Sequence, residues 1–396
     1  MPSPASIPAS ADVVVVGGGV VGASVARALA RRGVRDVVVL DRAPGPGTGD
    51  GSTGRATGGY RAQFTAAINV RLSLLARDVL RRFADETGVD AGYRPVGYLF
   101  LVHDDATFAL LAAAQSVQRG CGLVEARMLG PEEARACNPQ VRLDGAVGAA
   151  WCPTDGTIRP LELLRGFRED GARHGVRHVW DAPVTALVRG GDGRITHVVA
   201  GGARIACGHV VNAAGPWAAA LAAMAGVTLP VVPVRRQVCT TAPLTALDDD
   251  FPMTIWTKDA FHLRVRDGRA LLNWPVDTPA ARPDALTIHE PWVDATWAMA
   301  QARVPALAHA TLDRAATWAG LYEMTPDRTA ILDVAPGCDN LVLVNGSSGH
   351  GVMHSPALGP LAAELLLDGR TTTLDTTPLR LARFADGAPH PVHDVL

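Results

Sequence analysis

The sequence predicts an α/β protein in two parts: a doubly wound, largely parallel sheet assembled from separated stretches of chain, and a second domain with an antiparallel sheet. Three observations predict it. A valine strand, a glycine turn and a helix follow one another between Asp12 and Gly33. A second strand, glycine turn and helix lie near the other end, from Leu341 to Leu367. Between them, from Val231 to Trp274, the pattern turns to short β-rich segments.

The first element carries the most information. Val13 to Val16 read as a short strand buried on both faces. Gly17, Gly19 and Gly22 then fit G-x-G-x-x-G, and Val20 and Val21 open a helix with Val21, Val25, Ala28 and Leu29 on one face. Gly17 allows a tight turn, Gly19 lets a pyrophosphate reach the backbone, and Gly22 lets helix and strand pack closely. The helix N-terminus offers unpaired N–H groups and a partial positive charge to phosphates. A second strand, Val37 to Leu40, ends in Asp41, about twenty residues on, where a carboxylate is placed for ribose hydroxyls. Strand, helix and acid together predict a dinucleotide site. Alone, the stretch leaves NAD and FAD open.

The segment from Arg42 to Phe64 is too rich in glycine and small hydroxyl residues for a helix or strand, and reads as a long loop pressed against a ligand. Val70 to Thr87 is an amphipathic scaffold helix, Gly97 to Val102 a strand, Asp105 to Arg119 a helix, and Pro131 begins another. Trp151 to Pro160 is a turn-rich approach to a helix from Leu161 to His174. Val184–Val188 and Ile195–Val199 flank a glycine turn and predict a hairpin. The strand at Val210 runs through Asn212 to Trp217 into a turn and helix. Val234–Thr241, Ile255–Trp256, Phe261–Val265 and Ala270–Trp274 supply the antiparallel sheet, and Trp292 to Ala308 returns to helix. Finally Leu341 to Val344 enters the turn Asn345 to Gly351, followed by a helix from about Ala357 to Leu367. A simple NAD enzyme has no use for this second glycine turn. A chain that returns to wrap the isoalloxazine end of FAD does. The expected division is a cofactor domain of residues 10–90, 145–225 and 326–390, and a substrate domain of residues 91–144 and 226–325.

Composition narrows the partners. Hydrophobic residues make up 48% and charged residues 19% of the 396, as in an ordinary globular protein. The net charge of −2 points to neither nucleic acid nor an anionic membrane. Lys258 is the only lysine, the basic residues being otherwise arginine. Six scattered cysteines without a C-x-x-C pair or a Cys/His cluster argue for reduced thiols and against a metal site. The first eight residues lack the pattern of an export signal, and prolines and Asn212 interrupt the uncharged run Val210 to Val234. A cytoplasmic protein with no membrane span, possible as an oligomer, is expected.

With these pieces in order, the chain resembles the FAD-dependent amino-acid and amine oxidase family, which includes D-amino-acid oxidase, glycine oxidase, monomeric sarcosine oxidase and the β-type subunits of sarcosine oxidase and proline dehydrogenase. The resemblance rests on Gly17–Gly22 with Asp41, Ser52-Thr53-Gly54 with Gly59-Tyr60-Arg61, Asp155-Gly156 with Pro160, Asn212 to Trp217, Tyr322 with Thr325-Pro326-Asp327, and Gly346 to Gly351. It implies a discontinuous Rossmann-like FAD-binding domain and a substrate domain whose antiparallel sheet roofs the flavin. It implies oxidation of a small amino acid or secondary (N-alkyl) amine to an imine by hydride transfer to flavin N5, with O2 or another electron acceptor. A flavin 2-hydroxyacid dehydrogenase of the same fold, and the FAD subunit of a multi-subunit amine or proline dehydrogenase, are the alternatives.

The resemblance also implies roles. Arg61 holds a substrate carboxylate, for which a guanidinium offers a bidentate fork. Tyr322 lines the substrate site. Gly349, His350 and Gly351, with Val352 and Met353 behind them, lie by the flavin pyrimidine ring, where a helix N-terminus stabilises charge gained on reduction. His262 and Arg264 either face the flavin or form a solvated strand face. Arg42, Ser52, Thr53, Gly59, Val184, Ala213, Gly215 and Trp217 are the remaining cofactor contacts. Gly320 stands where sarcosine oxidase has its flavin-linking cysteine, so FAD is expected to be non-covalent. Met353 replaces a lysine ligand of the carboxylate, and the oxygen-activating lysine falls near Leu272, where there is none.

Overall fold

The computed structural model describes residues 7–45, 51–276, 282–284 and 286–392; most of the N-terminal segment judged for export and residues 46–50 of the glycine-rich loop lie outside them. The first sheet has four parallel neighbours at its centre, Val37–Leu40, Ser10–Val16, Ala203–Asn212 and Leu341–Asn345. Arg177–Val179 adds in parallel at one edge and Ile331–Val334 antiparallel at the other. The valines alternate as strand geometry requires. Val13 and Val15 pack into one apolar cluster with Val25, Leu29 and Leu361, while Val14 and Val16 pack into another with Leu187 and Leu221. One face is therefore covered by the helices Val20–Arg31, Ala67–Thr87, Pro160–Arg173 and Gly351–Asp368. The other is covered by the hairpin Val184–Arg189/Ile195–Ala200 and the helix Ala218–Met224.

Gly17 has φ +110°, and a Cβ there would lie 2.3 Å from Ala213 O; a Cβ on Gly22 would lie 1.9 Å from Gly17 O. The turn thus needs glycine at both places, one for its backbone angle and one for contact.

The second sheet runs in the order Trp318–Met324, Val232–Thr240, Arg269–Asn273, Phe261–Arg266, Met253–Trp256, Tyr98–Val102, Gly148–Cys152, Arg127–Leu129. It is antiparallel except at one join, where Met253–Trp256 and Tyr98–Val102 run parallel. That join unites two distant stretches of chain, so no hairpin dictates its direction. Gly148–Cys152, inside the stretch expected to belong to the cofactor domain, pairs in this sheet.

The C-terminal helix begins at Gly351, not near Ala357. Pro356 suggests a helix start because it lacks an N–H and clashes within a helix. Here it lies inside, and the carbonyl it leaves without a donor, that of Val352, accepts from Ser355 Oγ at 2.9 Å. The predicted helix at Trp292 spans Glu290–Arg303 and is followed by the 3-10 turn Pro305–Leu307.

Candidate active site

A cavity of about 730 Å³ lies between the two sheets, within the usual range for small-molecule sites. At its first end are Gly17, Gly19, Val20, Val21, Asp41 and Arg42. Gly22 is not in the lining; it backs the turn. Asp41 Oδ2 accepts from Gly18 N–H at 2.6 Å and Oδ1 from Ala43 N–H at 2.7 Å, so the carboxylate braces the turn it was expected to accompany and keeps lone pairs for a ligand. Val20 N–H donates to Thr53 Oγ1 at 3.1 Å, while the N–H groups of Gly19 and Val21 have no acceptor among the described residues. The Arg42 guanidinium lies 4.4 Å from the Trp217 ring centre. Val184, Ala213 and Gly215 line the same end.

The glycine-rich loop forms a wall of the cavity. Ser52 Oγ donates to Leu321 O at 2.7 Å, Arg55 donates to Ala319 O at 3.0 Å, and Trp318 Nε1 returns a bond to Arg55 O at 2.8 Å. These bonds clamp the loop to the edge strand of the second sheet. Gly59 and Tyr60 then pair with Thr157 and Gly156, which explains the Asp155-Gly156 signature. Asp155 is fully buried and accepts from Ala62 N–H at 2.7 Å and Gln63 Nε2 at 3.0 Å, fixing the backbone after Arg61.

Arg61 sits at the second end, with Tyr322, His350, His262 and Met353 in the same lining. Its guanidinium stacks 3.9 Å from the Phe64 ring centre, donates to Gln63 O at 2.5 Å, and lies 3.1 Å from His350 Nε2. A guanidinium only donates, so His350 Nε2 is the acceptor and the ring is neutral. Burial and the Arg61 charge agree, holding His350 well below the ordinary histidine range. Burial also lowers Arg61 to about 10, which leaves it a full cation at neutral pH. No carboxylate pairs with it among the described residues. Arg61 N–H points to Met353 Sδ at 3.4 Å, so this methionine supports the arginine and adds no charge.

Tyr322 packs face-on against Gly349, where a Cβ would lie 2.4 Å from its ring at φ +91°. Gly351, Val352 and Met353 form the first turn of an 18-residue helix, whose N–H groups lack intrahelical acceptors. His262 faces the cavity; Arg264 does not, being buried with its guanidinium bonded to Gly58 O. The two leave the same face of the strand, Phe261, Leu263 and Val265 taking the core face, but the Arg264 guanidinium is covered by the loop at Gly58 that it bonds, whereas His262 stays in the lining.

The sequence reading did not pick out Asn273, Glu323, Arg236 or Trp180, all of which line the cavity. For Asn273 a signal existed. Ala270 and Leu272 belong to the core of the second sheet, so period-two alternation sends Asn273 to the other face. Leu272, near which the oxygen-activating lysine was expected to fall, is fully buried on the core face and does not reach the cavity.

The cavity fits FAD. A glycine turn with a helix N-terminus and a carboxylate stands at one end, and a second helix N-terminus at the other. Near the second turn, Glu323 Oε2 and Ser347 Oγ are enclosed without partners, as a bound polar molecule would resolve. No cysteine lines the cavity, and all six are unpaired. Among the described residues there is no cluster of His, Cys, Asp and Glu suited to a metal, and no helix long and apolar enough to cross a membrane.

Comparison with known proteins agrees with this geometry. The family model described as FAD dependent oxidoreductase matches residues 12–365. A relative from Xenopus laevis, FAD-dependent oxidoreductase domain-containing protein 1, is 31% identical over 96% of this chain and 84% of its own length. Glycine oxidase of Geobacillus kaustophilus is 27% identical over 94% of this chain and 97% of its own. The crystal structure of L-proline dehydrogenase from P. horikoshii superposes with a TM-score of 0.88 at 29% identity, covering 96% of this chain and 99% of that one. The chain belongs to the FAD-dependent oxidoreductase family.

Proposed function

We propose that this protein oxidises a small amino acid or secondary (N-alkyl) amine bearing a carboxylate to the corresponding imine. The observation that carries the reading is Arg61: a cation in the cavity wall, without an acidic partner, whose remaining donors are open to a ligand. Bound FAD supplies the two-electron oxidant. The chain's part is to hold the carboxylate on Arg61, keep His350 neutral beside it, and offer Tyr322 and the roof as walls that exclude water. Similarity to a glycine oxidase and to an L-proline dehydrogenase supports a CH–NH or CH–NH2 donor.

Electrons pass to O2 or another acceptor. One observation favours the second: Lys258, the only lysine, is not in the cavity lining, so no lysine faces the flavin site to assist oxygen. This suits a dehydrogenase that passes electrons to a partner. FAD is read as non-covalent because Gly320, which has no side chain to form a bond, stands in the lining at the position expected for a flavin-linking cysteine, and no cysteine lines the cavity. A cytoplasmic location is proposed from the six unpaired cysteines.

The purified protein should be yellow, with the flavin band near ~450 nm. Anaerobic mixing with a panel of D-, L- and N-methyl amino acids and 2-hydroxy acids should bleach that band with amines only. Bleaching by hydroxy acids alone would replace the reading with a hydroxyacid dehydrogenase. Arg61→Ala should raise KM for carboxylate substrates roughly 10–100-fold with flavin content unchanged, whereas loss of flavin would move Arg61 to the cofactor site.

A further inference from the structure

The roof of the cavity carries a polar pair without a partner. His262 and Asn273 are directly opposite in the register of adjacent strands, so their side chains leave the same face, and both line the cavity. His262 Nδ1 is 2.8 Å from Ala260 O. A carbonyl only accepts, so Nδ1 carries the hydrogen and Nε2 presents a bare lone pair. Burial first, then the charges of Arg61 and Arg236, lower His262 to about 4, which keeps the ring neutral. Nε2 has no partner among the described residues. Asn273 is 9% exposed, and its Nδ2 has no acceptor. A donor enclosed in this way is destabilising unless something completes it. The residue next to His262 on the other side, Ile255, is apolar, so acceptor and donor stand side by side in the roof, with the Arg236 charge also acting on His262. Arg61 is near enough for its charge to act on His262, so the carboxylate site and the roof pair share one chamber.

Resting on the amine-oxidising reading above, we infer that His262 and Asn273 form the substrate's second recognition site: His262 Nε2 accepts an N–H of the reactive amine while Asn273 Nδ2 donates to the carboxylate held by Arg61. The substrate class narrows accordingly. In the neutral form that gives up its C–H, a primary or secondary amine keeps an N–H for His262, and a tertiary amine has none. The roof therefore selects α-amino acids and N-monoalkyl amino acids against N,N-dialkyl ones. Asn273 makes the same site favour amino acids over amines that lack a carboxylate.

The test uses the holoprotein under anaerobic conditions. For the amino acid that bleaches the flavin best, its N-methyl and N,N-dimethyl derivatives are compared by stopped-flow absorbance. The dimethyl compound should reduce the flavin at least tenfold less efficiently than the monomethyl one. His262→Leu should erase that preference, and His262→Gln, which keeps an acceptor, should retain part of it. Independently, acetate should perturb the flavin spectrum, and Asn273→Leu should raise its dissociation constant roughly tenfold without loss of flavin. Equal reduction by the mono- and dimethyl derivatives in the unaltered protein overturns the inference and leaves amine oxidation standing. So does a preference that survives in His262→Leu. If no amine reduces the flavin, the functional reading falls and the inference with it.

Discussion

Glu323 shows how a single side chain is tuned by its position. Its Oε1 lies 3.3 Å from Ser347 N–H, its Oε2 is enclosed without a partner, and burial pushes its carboxyl up to about 7, outweighing the backbone bonds that lower it. A carboxyl whose folded value exceeds its unfolded value of about 4.5 adds stability that is full below that value and is lost as pH rises through about 7. The shift corresponds to about 3 kcal/mol. Because part of Glu323 faces cavity water, about 2 kcal/mol is the expected loss. Urea unfolding of the flavin-free chain at pH 5 and pH 8 should show that difference, and Glu323→Gln should flatten it. Asp155 works by another route. It touches Ala62 and Gln63 and leaves Arg61 without an ion pair, so the arginine is placed by backbone geometry and its charge stays available to a ligand.

At the scale of elements, the first turn and the last helix are packed on each other, not merely near one cofactor. Ser24 Oγ donates to Ser355 O at 2.7 Å, and a Cβ on Gly359 would meet Ser24 Oγ at 2.2 Å. The two helices that present N-termini to the cavity are thereby locked in mutual register. Gly22 sits at the start of one of them, with no room for a side chain before Gly17 O. Gly22→Val should therefore abolish FAD retention and lower stability by several kcal/mol, as overpacking against backbone does, with the flavin band and the thermal midpoint as readouts. A variant that stays yellow with an unchanged midpoint would show that the turn has more freedom than its contacts imply.

Across the whole molecule, residues near the C-terminus close the fold around the site. Arg383 donates two bonds to Asp327, at 2.7 and 3.0 Å, and both residues are buried. The Thr325-Pro326-Asp327 signature thus belongs to a structural tie that holds the strand bearing Tyr322 against the tail. Breaking a buried pair by removing one partner strands a charge, so Asp327→Ala should destabilise the protein by about 3–5 kcal/mol, measured by thermal unfolding. Adding FAD in excess should recover part of that loss by mass action. The sequence by itself determined the nucleotide end: four valines, three glycines at fixed spacing and Asp41 are local signals, because turn geometry and strand alternation act over a few residues. It also announced the second glycine turn, although Pro356 hid where its helix begins. Only the tertiary structure decided the roof. His262 and Asn273 pair locally across one hairpin, but only the packing of that hairpin turns them to the cavity; Glu323 meets Ser347 across 24 positions of chain and Arg61 meets His350 across 289. Such pairings depend on which strands lie side by side, and long-range packing, not local propensity, sets that.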